Sequence, residues 1–295
     1  MKRTLAMVIV ALVAAATLVP CGLSAAADTG AESSAIPSFE ELMNNQSGSL
    51  KTPSAAESRE IVCWGDSMTR GNGAGTSLVT VDGVTFGSTD YSYPEILGRL
   101  TGIPTFNFGV DGATSEEIAY MQGSYRPEGE TGFEHIDENA IAQAQAHTGS
   151  ILILEIGSNG GWNGSYDKLI EQYRSMIEYA GCSQYIIIGD TDDPGTSVAD
   201  RAQREFRDGE GPGQTEWEAA LQEAFGEHFI NMRVYLIEHG LQTAGLTPTV
   251  DDENAAQRGC VSDQLRADWT HLNSYGYYAE AVALYEKGRA LGYWS

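Results

Sequence analysis

Basic residues are scarce in this chain, which has 17 lysines and arginines against 41 aspartates and glutamates and a formal charge of -24 at pH 7. So acidic a surface repels nucleic acid and anionic membranes. It favours a neutral or cationic substrate, although solubility outside a cell would explain the same composition. The sequence therefore predicts no nucleic-acid partner.

Several motifs of enzyme chemistry are absent. There is no His-Glu-x-x-His zinc motif, and the glycine cluster of residues 71–77 lacks the lysine of a phosphate-binding loop. The carboxylates of "DTDDPG" lack the spacing of a calcium loop. The Gly-x-Ser-x-Gly elbow of ordinary α/β-hydrolases is also missing. We expect neither a metal nor a nucleotide cofactor.

Cysteine is rare, with four in 295 residues. Cys21 belongs to the N-terminal segment, and the spacing of the other three resembles no zinc motif. Cys63 falls in an apolar strand pattern, so we expect it to be buried and inert. Cys182 with Cys260 is the more plausible disulfide, which would leave one free thiol.

The first 27 residues have the layout of a secretory signal peptide. Lys2 and Arg3 precede an apolar run that is short for a membrane span, and small residues end at Ala27. We expect cleavage after Ala27, a secreted chain and no transmembrane anchor. A lipoprotein anchored at Cys21 is the alternative, and it is disfavoured because Pro20 stands where a lipidation signal has a small residue.

Residues 28–58 are rich in Ser, Gly, Ala and Pro, which predicts a flexible linker or tether. Within this stretch, Ser38 and Glu41 could form a capping box for one short helix. Residues 59–295 are long enough to bury the core of one domain and contain no internal repeat.

Apolar runs of strand length alternate with stretches of helical periodicity along residues 59–295. Strands are predicted at 60–64, 105–110, 151–156, 185–188 and near "HFIN", and helices at 91–102, 114–123, 166–181, 215–225 and 274–291. This alternation predicts a parallel sheet with helices on both faces. Asp82-Gly83 predicts a hairpin excursion, and "PTVDDENAAQRGC" has the composition of a loop.

Polar residues follow three of the predicted strands, at the edge where open parallel sheets bind ligands. Ser67 follows the first strand, Gly112 the second and Asn159 the third. A serine becomes a nucleophile when an adjacent base takes its proton, and that base is usually a histidine held by a third group.

His271 is the histidine with the most informative context. Asp268 precedes it by three residues, so the carboxylate could accept the Nδ1 proton and leave Nε2 facing a nucleophile. Alternatively, Asp268 and Asn273 simply cap the last helix. The remaining histidines have no distinctive context: His135, His147, His228 and His239.

The blocks "GDSMT", "NFGVDGATS", "IGSNG" and "DWTHLN", in this order and spacing, resemble the four blocks of the SGNH or GDSL hydrolase family over essentially all of residues 59–295. The resemblance implies an α/β fold in three layers, α/β/α, with a flavodoxin-like parallel sheet of about five strands. It implies Ser67 as the nucleophile, His271 as the general base and Asp268 as the residue that orients it.

The same resemblance implies an oxyanion hole made of the Ser67 N–H, the Gly112 N–H and the Asn159 side-chain amide. Gly109 is a rival for the second donor. In the family the asparagine is commonly followed by aspartate, whereas Gly160 follows it here. Because that carboxylate would support the loop, we expect a less rigid loop.

The implied activity is hydrolysis of carboxylic esters through an acyl-serine intermediate. Trp64, Trp162 and Trp269 each lie at one of the four blocks. Aromatic faces near an esterase site often hold sugar rings, so an acetylated polysaccharide is the expected substrate. The three tryptophans could equally pack the ends of the sheet. A lysophospholipase or lipase and an acyltransferase would use the same triad, and a non-catalytic glycan-binding module would keep only the fold.

Overall fold

The structure is a computed structural model that describes residues 36–44, 59–75, 91–129, 131–149, 151–194 and 213–295. The expected signal peptide, most of the expected linker and the expected hairpin at Asp82-Gly83 lie outside these residues. Within the described ranges, none of the helices combines the length and the apolar character needed to cross a membrane.

Five parallel strands form one sheet in the order β2-β1-β3-β4-β5. They are β1 (Ile61–Gly65), β2 (Thr105–Gly109), β3 (Ile151–Glu155), β4 (Gln184–Ile188) and β5 (Phe229–Ile230). The central strands β1 and β3 are buried along their whole length, as parallel strands covered on both faces must be. The first four strands lie within one residue of the predicted bounds.

Eleven α-helices are found in the described part of the chain. They are α1 (Phe39–Asn44), α2 (Ser67–Arg70), α3 (Tyr93–Thr101), α4 (Ser115–Gln122), α5 (Glu138–Ala144), α6 (Tyr166–Ala180), α7 (Glu216–Phe225), α8 (Met232–Tyr235), α9 (Leu241–Thr243), α10 (Val250–Gln257) and α11 (Ser274–Ala290). The predicted helices correspond to α3, α4, α6, α7 and α11.

Two apolar clusters lie on the two faces of the sheet. Because side chains alternate along a strand, Ile61 and Cys63 join one cluster, and Val62 and Trp64 join the other. Helices α1, α3, α8 and α11 cover the first face, and α4, α5, α6 and α7 cover the second. The fold is therefore the predicted three-layer α/β/α arrangement, and Cys63 is buried as expected.

Helix α10 occupies a stretch for which the sequence predicted a loop. Thr249 and Asp252 form its capping box, in which the Thr249 N–H donates to Asp252 Oδ2 at 2.7 Å and the Asp252 N–H donates to Thr249 Oγ1 at 3.4 Å. Asp252 is the one buried residue of α10. The loop prediction was wrong because a helix that is polar on nearly all sides has no apolar periodicity to reveal it.

The short helix α1 forms where the capping pair predicted it. Ser38 Oγ donates to Glu41 Oε2 at 2.9 Å, and the Glu41 N–H donates back to Ser38 Oγ at 3.2 Å. The Phe39 ring packs 4.2 Å from that of Tyr275 in α11, measured between centroids. Residues 36–44 therefore pack against the domain instead of forming part of a flexible linker.

Cys182 and Cys260 are separate thiols, so the predicted disulfide between them is wrong. Cys182 lies before the start of β4, whereas the neighbour of Cys260, Val261, donates its N–H to Asp193 beyond the other end of that strand. A strand of this length spans roughly 16 Å. The two cysteines are therefore too far apart, because a disulfide needs Cα atoms within about 7 Å.

Candidate active site

The turn after β1 brings Ser67 to the carboxyl edge of the sheet. The last residue of β1 must be glycine, because a Cβ atom on Gly65 would lie 2.6 Å from the Glu155 carbonyl oxygen and 2.0 Å from Thr69 Oγ1. Asp66 caps α2 by accepting the Met68 N–H at 3.0 Å, and Ser67 is the first residue of that helix. Since Asp66 supplies the cap, the Ser67 hydroxyl is free to contact another group.

Asp268 and His271 lie on a tight loop before α11. The loop is closed by the hydrogen bond from the Ala267 N–H to the His271 carbonyl at 2.9 Å. Asp268 Oδ1 accepts the N–H groups of Thr270 and His271, at 2.9 and 2.7 Å. The cap of α11 is Asn273, so the alternative in which Asp268 shares that capping role is not found.

Ser67, His271 and Asp268 form one hydrogen-bonded chain. Ser67 Oγ lies 2.9 Å from His271 Nε2, and His271 Nδ1 lies 2.9 Å from Asp268 Oδ2. Burial raises the pKa of Asp268, but the hydrogen bonds from the His271 ring and from two backbone N–H groups outweigh it, so that pKa lies below its usual value. An ionised Asp268 favours the proton on Nδ1, which leaves Nε2 able to accept the Ser67 proton.

Two backbone N–H groups beside the three hydrogen-bonded side chains are available as donors. Neither the Ser67 nor the Gly112 N–H has a hydrogen-bond partner among the residues that the structure describes. The φ angle of +71° at Gly112 is one that glycine adopts without strain. The rival Gly109 already donates its N–H to Asn107 Oδ1 at 2.9 Å, so Gly112 is the better donor.

Asn159 is oriented by Asp66. Its side-chain nitrogen donates to Asp66 Oδ2 at 3.0 Å and makes a longer contact of 3.4 Å with the Ala113 carbonyl. Because carboxylate oxygens accept hydrogen bonds, Asp66 fixes the orientation of the amide and leaves the weakly bonded N–H for another acceptor. Burial is the main cause that raises the pKa of Asp66 to about 7.

The loop of residues 157–160 has supporting contacts despite Gly160. The Gly160 carbonyl accepts both the N–H and the hydroxyl of Ser115, each at 2.9 Å. Ser158 Oγ donates to Asp190 at 3.0 Å, and the Trp162 indole N–H donates to the Gly157 carbonyl at 2.8 Å. The expected lack of support is therefore not found.

Two of the three tryptophans predicted to bind substrate are buried, with Trp64 at 1% and Trp162 at 0% exposure. Trp64 packs against Phe108, and Trp162 packs against Trp217 on the same face of the sheet. These two predictions were wrong, because neither ring can reach a ligand. Trp269, beside Asp268, is 60% exposed and remains a candidate.

His135 lies beside the site, although the sequence offered no signal for it. A Cβ atom on Gly112 would come within 2.8 Å of His135 Nε2, so the ring packs on this glycine. Glu117 holds the chain here by accepting the N–H groups of Glu134 and His135, at 2.7 and 3.0 Å. His135 is therefore positioned next to one of the two free backbone donors.

The other histidines are engaged away from the Ser67 hydroxyl. His147 stacks on Phe106, His228 stacks on Tyr185, and His239 lies beside Glu238. Across the described ranges, no group of three or more His, Cys, Asp or Glu residues is arranged to hold a metal ion.

Asp190 and Asp192 follow β4, and the sequence analysis considered their carboxylates only as ligands of a calcium loop, not as part of this site. They reach both loops of the site, through Ser158 and through Thr270. The signal that could have found them is the one that identified Ser67, Gly112 and Asn159, namely polar residues directly after an apolar strand.

No family model matches the sequence, and no curated protein matches it either. Among solved structures, the chain is similar to a carbohydrate esterase family 2 enzyme plus carbohydrate binding domain from Corynascus thermopiles (Myceliophthora fergusii). The identity is 14% and the TM-score 0.45, over 81% of this chain and 68% of that one.

A family two carbohydrate esterase from Cellvibrio japonicus is 15% identical with a TM-score of 0.41, over 79% of this chain and 61% of that one. A catalytic mutant of an acetylxylan esterase from Geobacillus stearothermophilus is 15% identical with a TM-score of 0.40, over 81% of this chain and 96% of that one. At this level of sequence identity, the similarity shows the fold alone.

Proposed function

We propose that the chain is a serine ester hydrolase of the SGNH or GDSL family, which cleaves carboxylic esters through an acyl-serine intermediate. The observation that carries the proposal is the pair of 2.9 Å contacts that join Ser67 to His271 and His271 to Asp268. A serine, a histidine and a carboxylate in this order have the geometry of a catalytic triad.

In the first step, Ser67 Oγ attacks the ester carbonyl while His271 Nε2 takes the serine proton. Asp268 stabilises the imidazolium that forms. Negative charge develops on the carbonyl oxygen, and the N–H groups of Ser67 and Gly112 with the Asn159 amide would donate to it. One such donor is worth about 2.7–4 kcal/mol in a comparable hydrolase.

The imidazolium of His271 then protonates the leaving alcohol, and Ser67 is left acylated. In the second step, a water molecule gives a proton to His271 Nε2 and attacks the acyl group. The tetrahedral intermediate uses the same three donors, and its collapse returns the proton to Ser67 Oγ and releases the acid.

For the substrate we propose an ester of a carbohydrate, such as an acetylated polysaccharide. Trp269 supports this choice, because its exposed indole follows Asp268 directly and aromatic faces stack well on sugar rings. The strongly acidic chain fits a neutral sugar better than an anionic lipid surface.

The test of mechanism is a panel of p-nitrophenyl esters of increasing acyl length, run on the wild type and on Ser67→Ala. We expect hydrolysis of the acetate by the wild type and a loss of at least about a thousandfold in kcat for Ser67→Ala, because the nucleophile is removed. Ser124→Ala is the control, since that hydroxyl bonds the Ala119 carbonyl at the far end of α4. Equal activity of Ser67→Ala and wild type would leave a non-catalytic glycan-binding module as the better explanation.

The test of substrate compares acetate release from acetylated xylan with fatty-acid release from a lysophospholipid. We expect the xylan to be preferred, and we expect Trp269→Ala to raise KM for xylan more than for p-nitrophenyl acetate. Preference for the lipid would contradict the carbohydrate proposal, and transfer of the acetyl group to an added sugar would identify an acyltransferase.

A further inference from the structure

The chain that continues from β4 contacts both loops of the candidate site. We call residues 190–193 the β4 extension. Its acidic side chains lie between the loop that carries Asn159 and the loop that carries Asp268 and His271.

Towards the Asn159 loop, the contact is made by Asp190. Asp190 Oδ1 accepts the Ser158 hydroxyl at 3.0 Å and the Asp192 N–H at 3.1 Å. One carboxylate oxygen therefore ties the residue before Asn159 to the backbone of the β4 extension.

Towards the Asp268 loop, the contact is made by Asp192. Asp192 Oδ1 accepts the Thr270 hydroxyl at 2.5 Å, and the Thr270 N–H donates to Asp268 Oδ1 at 2.9 Å. Thr270 thus bonds the orienting carboxylate with its backbone and the β4 extension with its side chain.

Arg266 reinforces this connection. Its guanidinium donates to the Thr270 carbonyl at 3.0 Å, to the Thr191 carbonyl at 2.8 Å and to Asp193 Oδ1 at 2.9 Å. The base of the loop and the β4 extension therefore share two independent links, one through Arg266 and one through Asp192.

The loop needs such links because its tip is open to solvent. The Asp268 side chain is 48% exposed, and Trp269 beside it is more exposed still. A catalytic group on a loop must be held within about 0.5 Å by supporting contacts. Asp192 is buried, so water competes poorly for its bond with the Thr270 hydroxyl.

We propose that Asp192 and Thr270 are positioning residues, which hold Asp268 and His271 at the angle that brings His271 Nε2 to Ser67. The proposal rests on the proposed function, since it concerns the same triad. It adds that the β4 extension sets the geometry of the proton-transfer groups through a side-chain bond, while Asp190 holds the Asn159 loop from the same segment.

The test uses two substitutions of Thr270 with p-nitrophenyl acetate as substrate. Thr270→Val keeps the shape and removes the hydroxyl, and we expect kcat to fall about tenfold with KM within twofold. Thr270→Ser keeps the hydroxyl, and we expect kcat within twofold of wild type. Thr105→Val is the matched control, because the Thr105 hydroxyl bonds the Ile103 carbonyl at the opposite edge of the sheet. Thermal unfolding of each variant ensures that kcat is measured on folded protein.

A second pair of variants separates the bond from the charge. Asp192→Asn keeps an acceptor oxygen but removes the charge that strengthens the bond from Thr270. It should therefore lower kcat severalfold in the wild-type background and have little further effect in Thr270→Val, because the bond is already lost there. The proposal is overturned by an unchanged kcat in Thr270→Val, by an equal loss in Thr270→Ser, or by an equal effect of Asp192→Asn in both backgrounds. Failure of the proposed function is a separate result, because then the wild type itself would not hydrolyse the ester.

Discussion

Asp66 stands beside Ser67 in the chain, yet its contacts assign it a supporting role. Its Oδ1 caps α2 through the Met68 N–H, and its Oδ2 holds the Asn159 amide. One buried carboxyl group therefore joins the helix that begins with Ser67 to the loop of the third donor. The acceptor character of both oxygens is what makes the residue suitable.

We expect Asp66→Asn to lower kcat for p-nitrophenyl acetate about 10- to 100-fold. The new amide can keep one acceptor for Met68, but its nitrogen then faces the Asn159 nitrogen, and two donors cannot bond each other. Asn159 would turn away, and loss of an oxyanion donor costs up to about a thousandfold.

The control for this prediction is Asp137→Asn. Asp137 Oδ1 caps α5 by accepting the N–H groups of Asn139 and Ala140, and asparagine is an equally good cap. We expect this variant to keep full activity. If Asp66→Asn also kept it, the orientation of Asn159 would not depend on Asp66.

The sequence predicted much of the site because its blocks are local. Ser67 and the pair Asp268 and His271 could be recognised from short motifs, and the structure brings these three together. Trp64 was misjudged because both faces of the sheet are covered, so a side chain in β1 is buried on either face even when it lies close to Ser67 in sequence. The hydrogen bond between Asp192 and Thr270 joins residues 78 positions apart, and no motif or spacing in the sequence predicts it.

Helices and strands were predicted correctly where their packing requires a periodic pattern of apolar residues in the sequence. Helix α6 buries one apolar face and α3 is buried on nearly all sides, and apolar residues at helical spacing located both. The stretch 232–243 was missed, because it consists of α8, a π-helical turn at Leu236–Gly240 and α9, each too short to show a period. Short pieces of this kind are stabilised by the core they contact and not by local sequence.

Helix α1 illustrates how a polar, small-residue stretch can contain a packed element. Phe39 packs against the rings of Tyr275 and Tyr278 in α11, and Leu42 is also buried. The Tyr278 hydroxyl also donates to the Pro37 carbonyl. Six helical residues cannot be stable alone, so these contacts hold α1 in place.

We expect Phe39→Ala to lower the free energy of unfolding by about 2 kcal/mol, less than the 3–5 kcal/mol of a central core phenylalanine. The loss is limited because α1 can separate from α11 without unfolding the sheet. Thermal unfolding should show a fall in Tm of several degrees, and Val250→Ala, at an exposed position, should show none. An unchanged Tm for Phe39→Ala would mean that α1 contributes nothing to the fold in solution.

The chain as a whole carries a large negative charge, and several of its carboxyl groups are buried inside the domain. Burial is the main cause that raises the pKa of each of these groups: Asp66, Glu155, Asp190, Asp192 and Glu280. Neighbouring carboxylates add to the shift for four of them. In the folded protein, these carboxyl groups are therefore more easily kept in the neutral form than in the ionised form.

These groups make stability depend on pH in a definite direction. The folded protein holds their protons more tightly than the unfolded chain does. Their contribution to the free energy of unfolding is therefore complete below about pH 4, and it is lost as pH rises through their raised pKa values in the folded protein. Asp252 acts in the opposite sense. Burial raises its pKa, but bonds led by that from Ser262 outweigh it and lower the pKa to about 2, so its contribution is lost only in strong acid. Maximum stability is therefore expected near pH 4, where both kinds of contribution are present.

Glu280 offers the sharpest test of this dependence. It is fully buried on α11, and neither carboxylate oxygen has a hydrogen-bond partner in the described part of the chain. We expect the Tm of the wild type to fall between pH 5 and pH 8, and Glu280→Gln to reduce that fall, because the amide has the same shape and never ionises. Each kcal/mol retained at pH 8 should raise Tm by about 2–4 °C in a domain of this size. Glu253→Gln, on the exposed surface of α10, is the control and should leave the pH profile unchanged. A wild-type Tm that rises from pH 5 to pH 8 would show that the buried carboxyl groups do not govern the stability of the molecule.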